Sequence, residues 1–348
     1  MERYIGIDAH SETCTVAVMG SAGRRLREAK VETQGKMLRE VIGMVPRRRH
    51  VCLEEGAQSE WLYELLEPLV EEIVVVRPQK REGPKSDSID AWSLADGLRR
   101  GVLPTPVFKA PGSFTGLRQA VRAHQLIQRD LVRAKQRVKA LYQSRGLRRL
   151  GNSVYAVEAR TTCLKELPRH HRKLATLLSD ELDALAELAA EAEDWLLTEA
   201  KRTPAVNRLA TAPGIGTIRA AQIVAVVVSP HRFRTRKQFW SYCGLGVVTR
   251  SSADYGVENG QLVRRKSVTT RGLNRNRNPM LKNVFKGAAK TVTNQMMRHP
   301  LRADYIKLVE GGTKANLAQL TIARRIAALT LAMWKNQEDY DPARNPPS

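Results

Sequence analysis

YIGIDAH, residues 4–10, decides how the rest of the chain is read. Its short apolar alternation predicts a β-strand that delivers Asp8 at its end. Working outward, CTVAVMG (14–20) reads as a second strand, and the turn SAG leads into RLREAKVET (25–33) as a third. QGKMLREVIGMV (34–45) has helical period, RHVCLEE (49–55) returns to strand, SEWLYELLEPLV (59–70) is helical and EEIVVV (71–76) is a short β-branched strand. KSDSIDAWSLAD (85–96) then starts a helix with an apolar stripe of Ile89, Trp92 and Leu94. Three hairpin-like strands followed by alternating helices and strands predict an α/β domain with a mixed sheet over residues 1–110. The segment VRPQKREGPKSDS, rich in Pro, Gly and charge, is expected to be an exposed, mobile loop.

The charge of the 348 residues is unevenly placed: 58 Lys+Arg against 35 Asp+Glu give +23. Residues 1–110 hold 17 basic and 17 acidic groups, whereas residues 201–348 hold 26 against 7. A neutral first domain before a strongly basic remainder predicts a catalytic module joined to a body that binds a polyanion, nucleic acid above all. A membrane surface is the competing polyanion, but no basic amphipathic segment carries the exposed aromatic face that role favours. No apolar run is long enough to span a bilayer, and MERYIGIDAH is charged and strand-like rather than a signal peptide, so the protein is expected in the cytosol, the cytoplasmic compartment. Cys14, Cys52, Cys163 and Cys243 lie far apart and form no C-x-x-C pair, which predicts buried thiols rather than a zinc site or disulfides. His170 and His171 sit side by side in an expected basic loop, without metal-ligand spacing.

Residues 111–203 predict long helices. Between Thr115 and Leu150, Leu117, Ala120, His124, Ile127, Leu131, Ala134, Val138 and Leu141 repeat at alternating threes and fours, a heptad seam flanked by arginines and lysines. A second seam, through Leu174, Leu178, Leu182, Leu185, Ala189, Ala192 and Leu196, runs along a helix rich in acid. This coiled-coil pattern suits pairing of the two helices or pairing with another subunit. Residues 204–340 read as mainly helical, with a basic helix start in TTRGLNRNRNPMLKNVFKGAAKTV, and 341–348 as a disordered tail. APGIGTIRAAQIVA (212–225) is similar to a helix-hairpin-helix turn, where Gly214 and Gly216 would let backbone N–H groups approach a phosphate; a plain turn between packed helices has the same sequence.

Magnesium takes hard oxygen ligands, and nucleic-acid enzymes supply them as a few carboxylates from separate elements. Asp8 ends the first strand, Glu54 and Glu55 end the fourth, and Asp87 and Asp90 lie three apart on one helix face. Each alone has an ordinary explanation: strand-end acids are commonly just solvated, and acids in a first helical turn favour the positive end of the helix dipole. In the order strand, strand, helix they form a candidate metal set.

IGIDAH, LEEG followed by WLYELL, KSDSIDAWSLADGLRRG, APGIGTIRAA and FWSYCGLG together resemble the transposases of the insertion-sequence-110 family, relatives of the Piv-type DNA invertases, over nearly the whole chain. The resemblance implies a ribonuclease H-like, RuvC-type first domain with a DEDD site of Asp8, Glu54, Asp87 and Asp90, Glu54 being preferred to Glu55 because it begins the E-x-G stretch. It implies Mg²⁺ as cofactor and a nucleophilic serine in GLGVVTRSSADY (244–255), where Ser252 takes the family position and Ser251 precedes it. Here the chain departs from the family pattern: Val247 replaces a proline, and Ala253 and Asp254 stand where two glycines are usual. The resemblance also implies DNA and a structured bridge RNA as partners, a homodimer or homotetramer, and nucleic-acid contacts from Lys85, Gly214, Gly216, Arg250 and Arg271, with Thr270 in place of a family lysine. Two other functions suit the same residues: a metal-only, junction-resolving nuclease, and a non-catalytic nucleic-acid-binding protein.

Overall fold

The computed structural model describes residues 1–78, 86–104, 108–110, 112, 114–147, 151–250, 255–264 and 269–342. Two compact units divide the chain, Met1–Ser113 and Phe114–Ser348. In the first, β1 (Arg3–Ala9), β2 (Thr13–Gly20), β3 (Arg25–Glu32), β4 (Arg49–Glu54) and β5 (Glu72–Val76) form one sheet in the order β3-β2-β1-β4-β5. β1 is central, antiparallel to β2 and parallel to β4, so the sheet is mixed as expected.

Alternation along β1 and β4 builds a three-layer unit. Ile5, Ile7, Val51 and Leu53 face α1 (Gly35–Gly43) and α2 (Ser59–Leu66), burying Leu38, Ile42, Leu62 and Leu66 with them. The opposite face receives α3 (Asp87–Arg100): Ala91, Trp92 and Ala95 pack on Ala17 and Met19, and Leu94 packs on Cys52 and Val76. Gly6 makes this approach possible, since a Cβ there would stand 1.9 Å from the Ala91 carbonyl oxygen and 2.6 Å from the Ala95 nitrogen. A contact that close requires small residues where the helix crosses Gly6, and these are Ala91 and Ala95. The buried stripe of α3 is Ala91, Trp92, Leu94 and Ala95, and Ile89, expected in the stripe, is exposed instead. Gly6→Ala is accordingly expected to destabilise the unit by about 3 kcal/mol or more, because backbone rather than a movable side chain blocks the methyl group. Thermal denaturation followed by circular dichroism reads this as a lower Tm; an unchanged Tm contradicts the close approach.

In the second unit α4 (Thr115–Gln143) and α6 (Arg169–Lys201) lie antiparallel, with α5 (Val157–Glu166) between them in sequence. Leu131, Ala134, Val138 and Tyr142 share one core with Ala175, Leu182 and Ala189, and the basic helix pairs with the acidic one within the chain, Arg137 bonding Glu181. Burial departs from the heptad at several positions. Tyr142 is buried where Leu141 is only half-buried, and Ala175 is buried where Leu174 is exposed, because a straight helix drifts from a strict seven-residue repeat. α4 also ends before Leu150: the Leu147 N–H returns to the Tyr142 carbonyl at 3.2 Å, with Gly146 left-handed at φ 79°. His170 and His171 belong to the first turn of α6, not to a loop, since Pro168 starts that helix.

The near ends of these helices, with Leu117, Ala120, Leu196 and Ala200, join the core of α7 (Pro204–Leu209), α8 (Thr217–Val227), α9 (Arg236–Tyr242), α10 (Pro279–Gln295), α11 (Pro300–Glu310) and α12 (Ala315–Asn336). This region is not helical throughout. β6 (Val247–Arg250) pairs with β9 (Thr269–Leu273), and β7 (Tyr255–Glu258) with β8 (Gln261–Arg264). The segment expected to begin a basic helix at Thr269 is therefore strand first; adjacent β-branched threonines favour extension, and the helix begins only at Pro279, capped by Asn278. All four cysteines are buried and free, as expected, and burial pushes the Cys52 thiol up to about 12. No described helix is long and apolar enough to cross a membrane. Most of the expected mobile loop (79–85) and most of the expected disordered tail (343–348) lie outside the described residues.

Candidate metal centre

Asp8 leaves β1 on the same face as Gly6, the face covered by α3, and Glu54 shares that face with Cys52 on the neighbouring strand. Glu55 is one residue further and exposed; its N–H extends the β4–β5 ladder to the Val76 carbonyl at 2.7 Å. The turn behind Glu54 is fixed by buried Ser59, whose hydroxyl accepts from the Gly56 N–H at 2.6 Å. On α3, Ser86 caps the helix by accepting from the Ile89 N–H, and Asp87 and Asp90 occupy the first turn.

Ligand atoms of Asp8, Asp87 and His10 come within 4.8 Å of one another. His10 Nε2 lies 3.2 Å from Asp8 Oδ2 and 3.4 Å from Asp87 Oδ1, and Lys30 Nζ lies 3.0 Å from Asp87 Oδ2. Burial raises the Asp8 pKa above its ordinary value; His10 lowers it in part, while the charges of Asp87 and Asp90 raise it further. Asp87 is shifted the other way, mainly by the hydrogen bond from Lys30. The cluster thus carries negative charge that its neighbours only partly offset. Two carboxylates with an imidazole beside them are a donor set that a hard divalent cation fits. Glu54 and Asp90 are placed on the same face but are not part of the close group of three.

His10 and Lys30 were not singled out in the sequence. The signal for both is the period of two: His10 follows Asp8 by two residues, and Lys30 follows Glu28, which accepts from Trp92 Nε1 at 2.5 Å and from the Ser88 hydroxyl at 2.8 Å. β3 therefore reaches α3 with an acid that anchors the helix and a lysine that meets Asp87. Lys30→Ala is expected to tighten divalent-cation binding to the DNA-free protein about two- to fivefold by removing a competing cation. Stability should be essentially unchanged, since the pair is solvent-exposed. A Mn²⁺ titration with a parallel melting curve checks both.

The remaining expected site residues are in the second unit or outside the described residues. Lys85, Ser251 and Ser252 fall in the latter class. Arg250 ends β6 and Arg271 lies within β9. Gly214 turns between α7 and α8 at φ 69°, and a Cβ there would meet the Ala288 carbonyl oxygen at 2.5 Å, so packing on α10 by itself requires glycine. Gly216 immediately precedes α8.

Two family models match the chain and between them span more than half of it. The model of the DEDD transposase of IS110, described as "Transposase", matches residues 5–144, which include all four candidate carboxylates. The model described as "Transposase IS116/IS110/IS902 family" matches residues 206–305. A "Probable family 20 transposase" of Pseudomonas aeruginosa is 25% identical over 302 residues, covering 82% of this chain and 84% of that protein. With its mixed sheet and the acids that the sheet and α3 bring to one face, the chain belongs to the IS110 family of transposases, DNA-cleaving and DNA-joining enzymes whose first domain is RuvC-like and dependent on a divalent metal.

Proposed function

We propose that the chain is a site-specific recombinase that excises and integrates a mobile element, with Mg²⁺ at Asp8, Glu54, Asp87 and Asp90 and with Ser252 as nucleophile. The observation that carries the metal assignment is the meeting of Asp8, Asp87 and His10 within 4.8 Å. When bound, the metal supplies positive charge for the scissile phosphate and for the oxygens that exchange on it. The chain's own contribution is positional. β1 and β4 hold Asp8 and Glu54 on one face, and the first turn of α3 brings Asp87 and Asp90 to it.

The division of labour follows the charge. Residues 1–110 hold the metal, the paired helices of 111–203 act as a coiled-coil spacer, and the basic residues 204–340 grip nucleic acid and supply Ser252. Lys85, Arg250 and Arg271 would contact phosphates, and the start of α8 behind Gly214 and Gly216 would form a helix-hairpin-helix contact with the backbone. The +23 excess accommodates a bridge RNA as well as donor and target DNA, and exchange between two duplexes calls for a dimer or tetramer. The test is strand cleavage on element-end DNA. It should require Mg²⁺ or Mn²⁺, stop with EDTA and resume on adding metal back; cleavage that persists in EDTA overturns the assignment.

A further inference from the structure

A groove of about 600 Å³ lies within the second unit, walled by α4, α8 and the start of α10. Its walls carry His124, Gln125, Gln128, Arg219, Gln222 and Asn283, with no carboxylate among the described lining residues. The amides of Gln125, Gln128 and Gln222 are half-buried and make no side-chain hydrogen bond with the described protein. Arg219 is fixed in place, its Nη1 donating to the Gly214 carbonyl at 2.6 Å and to Thr291 Oγ1 at 3.1 Å. His124 is 7% exposed, and its Nδ1 is buried without a hydrogen-bond partner. A buried ring nitrogen left unmatched costs free energy unless something in the groove supplies its partner.

We propose that this groove takes one unpaired nucleotide of a nucleic-acid strand, base edge against the amides and phosphate toward Arg219. Amides can donate and accept together, as base edges require, and Asn and Gln match adenine in this way. A groove of this volume is within the range that holds a nucleotide-sized ligand. Beside it on α10, Lys282 has its pKa pulled below the usual lysine range by burial and by the neighbouring charges of Arg277 and Lys286. Among the described residues no carboxylate pairs with this cationic cluster, as expected where a strand's phosphates run past. Burial likewise keeps the His124 pKa low, with Glu193 offsetting part of the shift, so the ring is neutral and offers one donor and one acceptor.

The test measures binding of the full chain in EDTA, so that it does not depend on the metal centre, by fluorescence anisotropy with three probes. These are a paired duplex, the same duplex with one unpaired nucleotide, and that duplex with the unpaired position abasic, each made in DNA and in RNA. The base-bearing bulge is expected to bind about tenfold tighter than the other two, the equivalent of one or two net hydrogen bonds. Gln128→Ala with Gln222→Ala should remove that preference and leave paired-duplex affinity unchanged; Asn283→Asp, which preserves shape and adds a negative charge, should remove it too. A preference confined to the DNA set assigns the groove to a transposing or target strand, and one confined to the RNA set assigns it to a guide; both support a nucleotide site. Equal binding of the abasic and base-bearing bulges, or a preference that survives these substitutions, overturns it.

Discussion

Asp8→Asn is expected to reduce DNA strand cleavage about a thousandfold or more while leaving the chain folded. Asparagine keeps the shape of Asp8 and removes the charge that a cation would use. The same change should make the metal-free protein no less stable. Asp8 has its pKa raised from 3.8, first by burial and then by Asp87 and Asp90, so the folded unit holds that proton more tightly than the unfolded chain does. The corresponding contribution to stability is complete below pH 3.8 and is lost as pH rises through the higher folded value. Asparagine resembles the protonated acid and escapes this loss. Melting curves taken from pH 3.8 upward should show the Asp8→Asn protein gaining on the wild type as pH rises. A variant that loses both activity and Tm at neutral pH would instead mark Asp8 as a structural acid.

The second large effect is expected from Ser252→Ala: loss of a covalent protein–DNA adduct, and of strand joining by about a thousandfold or more. In the proposed step the serine hydroxyl oxygen attacks phosphorus and gives up its proton. The bond from phosphorus to one sugar oxygen breaks, and that oxygen takes up a proton as it leaves. The phosphoserine link so formed conserves the phosphodiester for rejoining. A metal-only nuclease activates water, leaves no adduct and is indifferent to Ser252. A denaturing gel with labelled DNA separates the two, and Ser251→Ala run beside it assigns the nucleophile between neighbouring serines.

Much of the first unit was legible in its sequence because the strand period and helix period alternate there without ambiguity. YIGIDAH gave the central strand, and the face it shares with Cys52 and Glu54 follows from a period of two. What stayed hidden was tertiary. Trp92 and Leu94 are buried as the stripe predicts, but Gly6 draws α3 so close that Ala91 and Ala95 complete the buried face and Ile89 is left exposed. His10 and Lys30 carry no motif; they matter because β1 and β3 bring them to the aspartates from either side of β2. In the second unit the heptad seams predicted two long helices but left open whether they pair with each other or with another subunit. The strands β6 to β9 were missed because a basic, glycine-bearing stretch suits a helix start or a ladder equally until its pairing partner is known.

The central claim is that the acids at the end of β1 and the start of α3 hold the divalent metal, and a Mn²⁺ titration of the DNA-free chain followed by electron paramagnetic resonance tests it most directly. Mn²⁺ accepts the same oxygen donors as Mg²⁺ and loses its free-ion signal when bound. The wild-type chain is expected to bind saturably, and Asp8→Asn and Asp87→Asn to weaken binding at least about tenfold each. Saturable binding of equal strength in wild type and both variants would place the metal elsewhere and contradict the account.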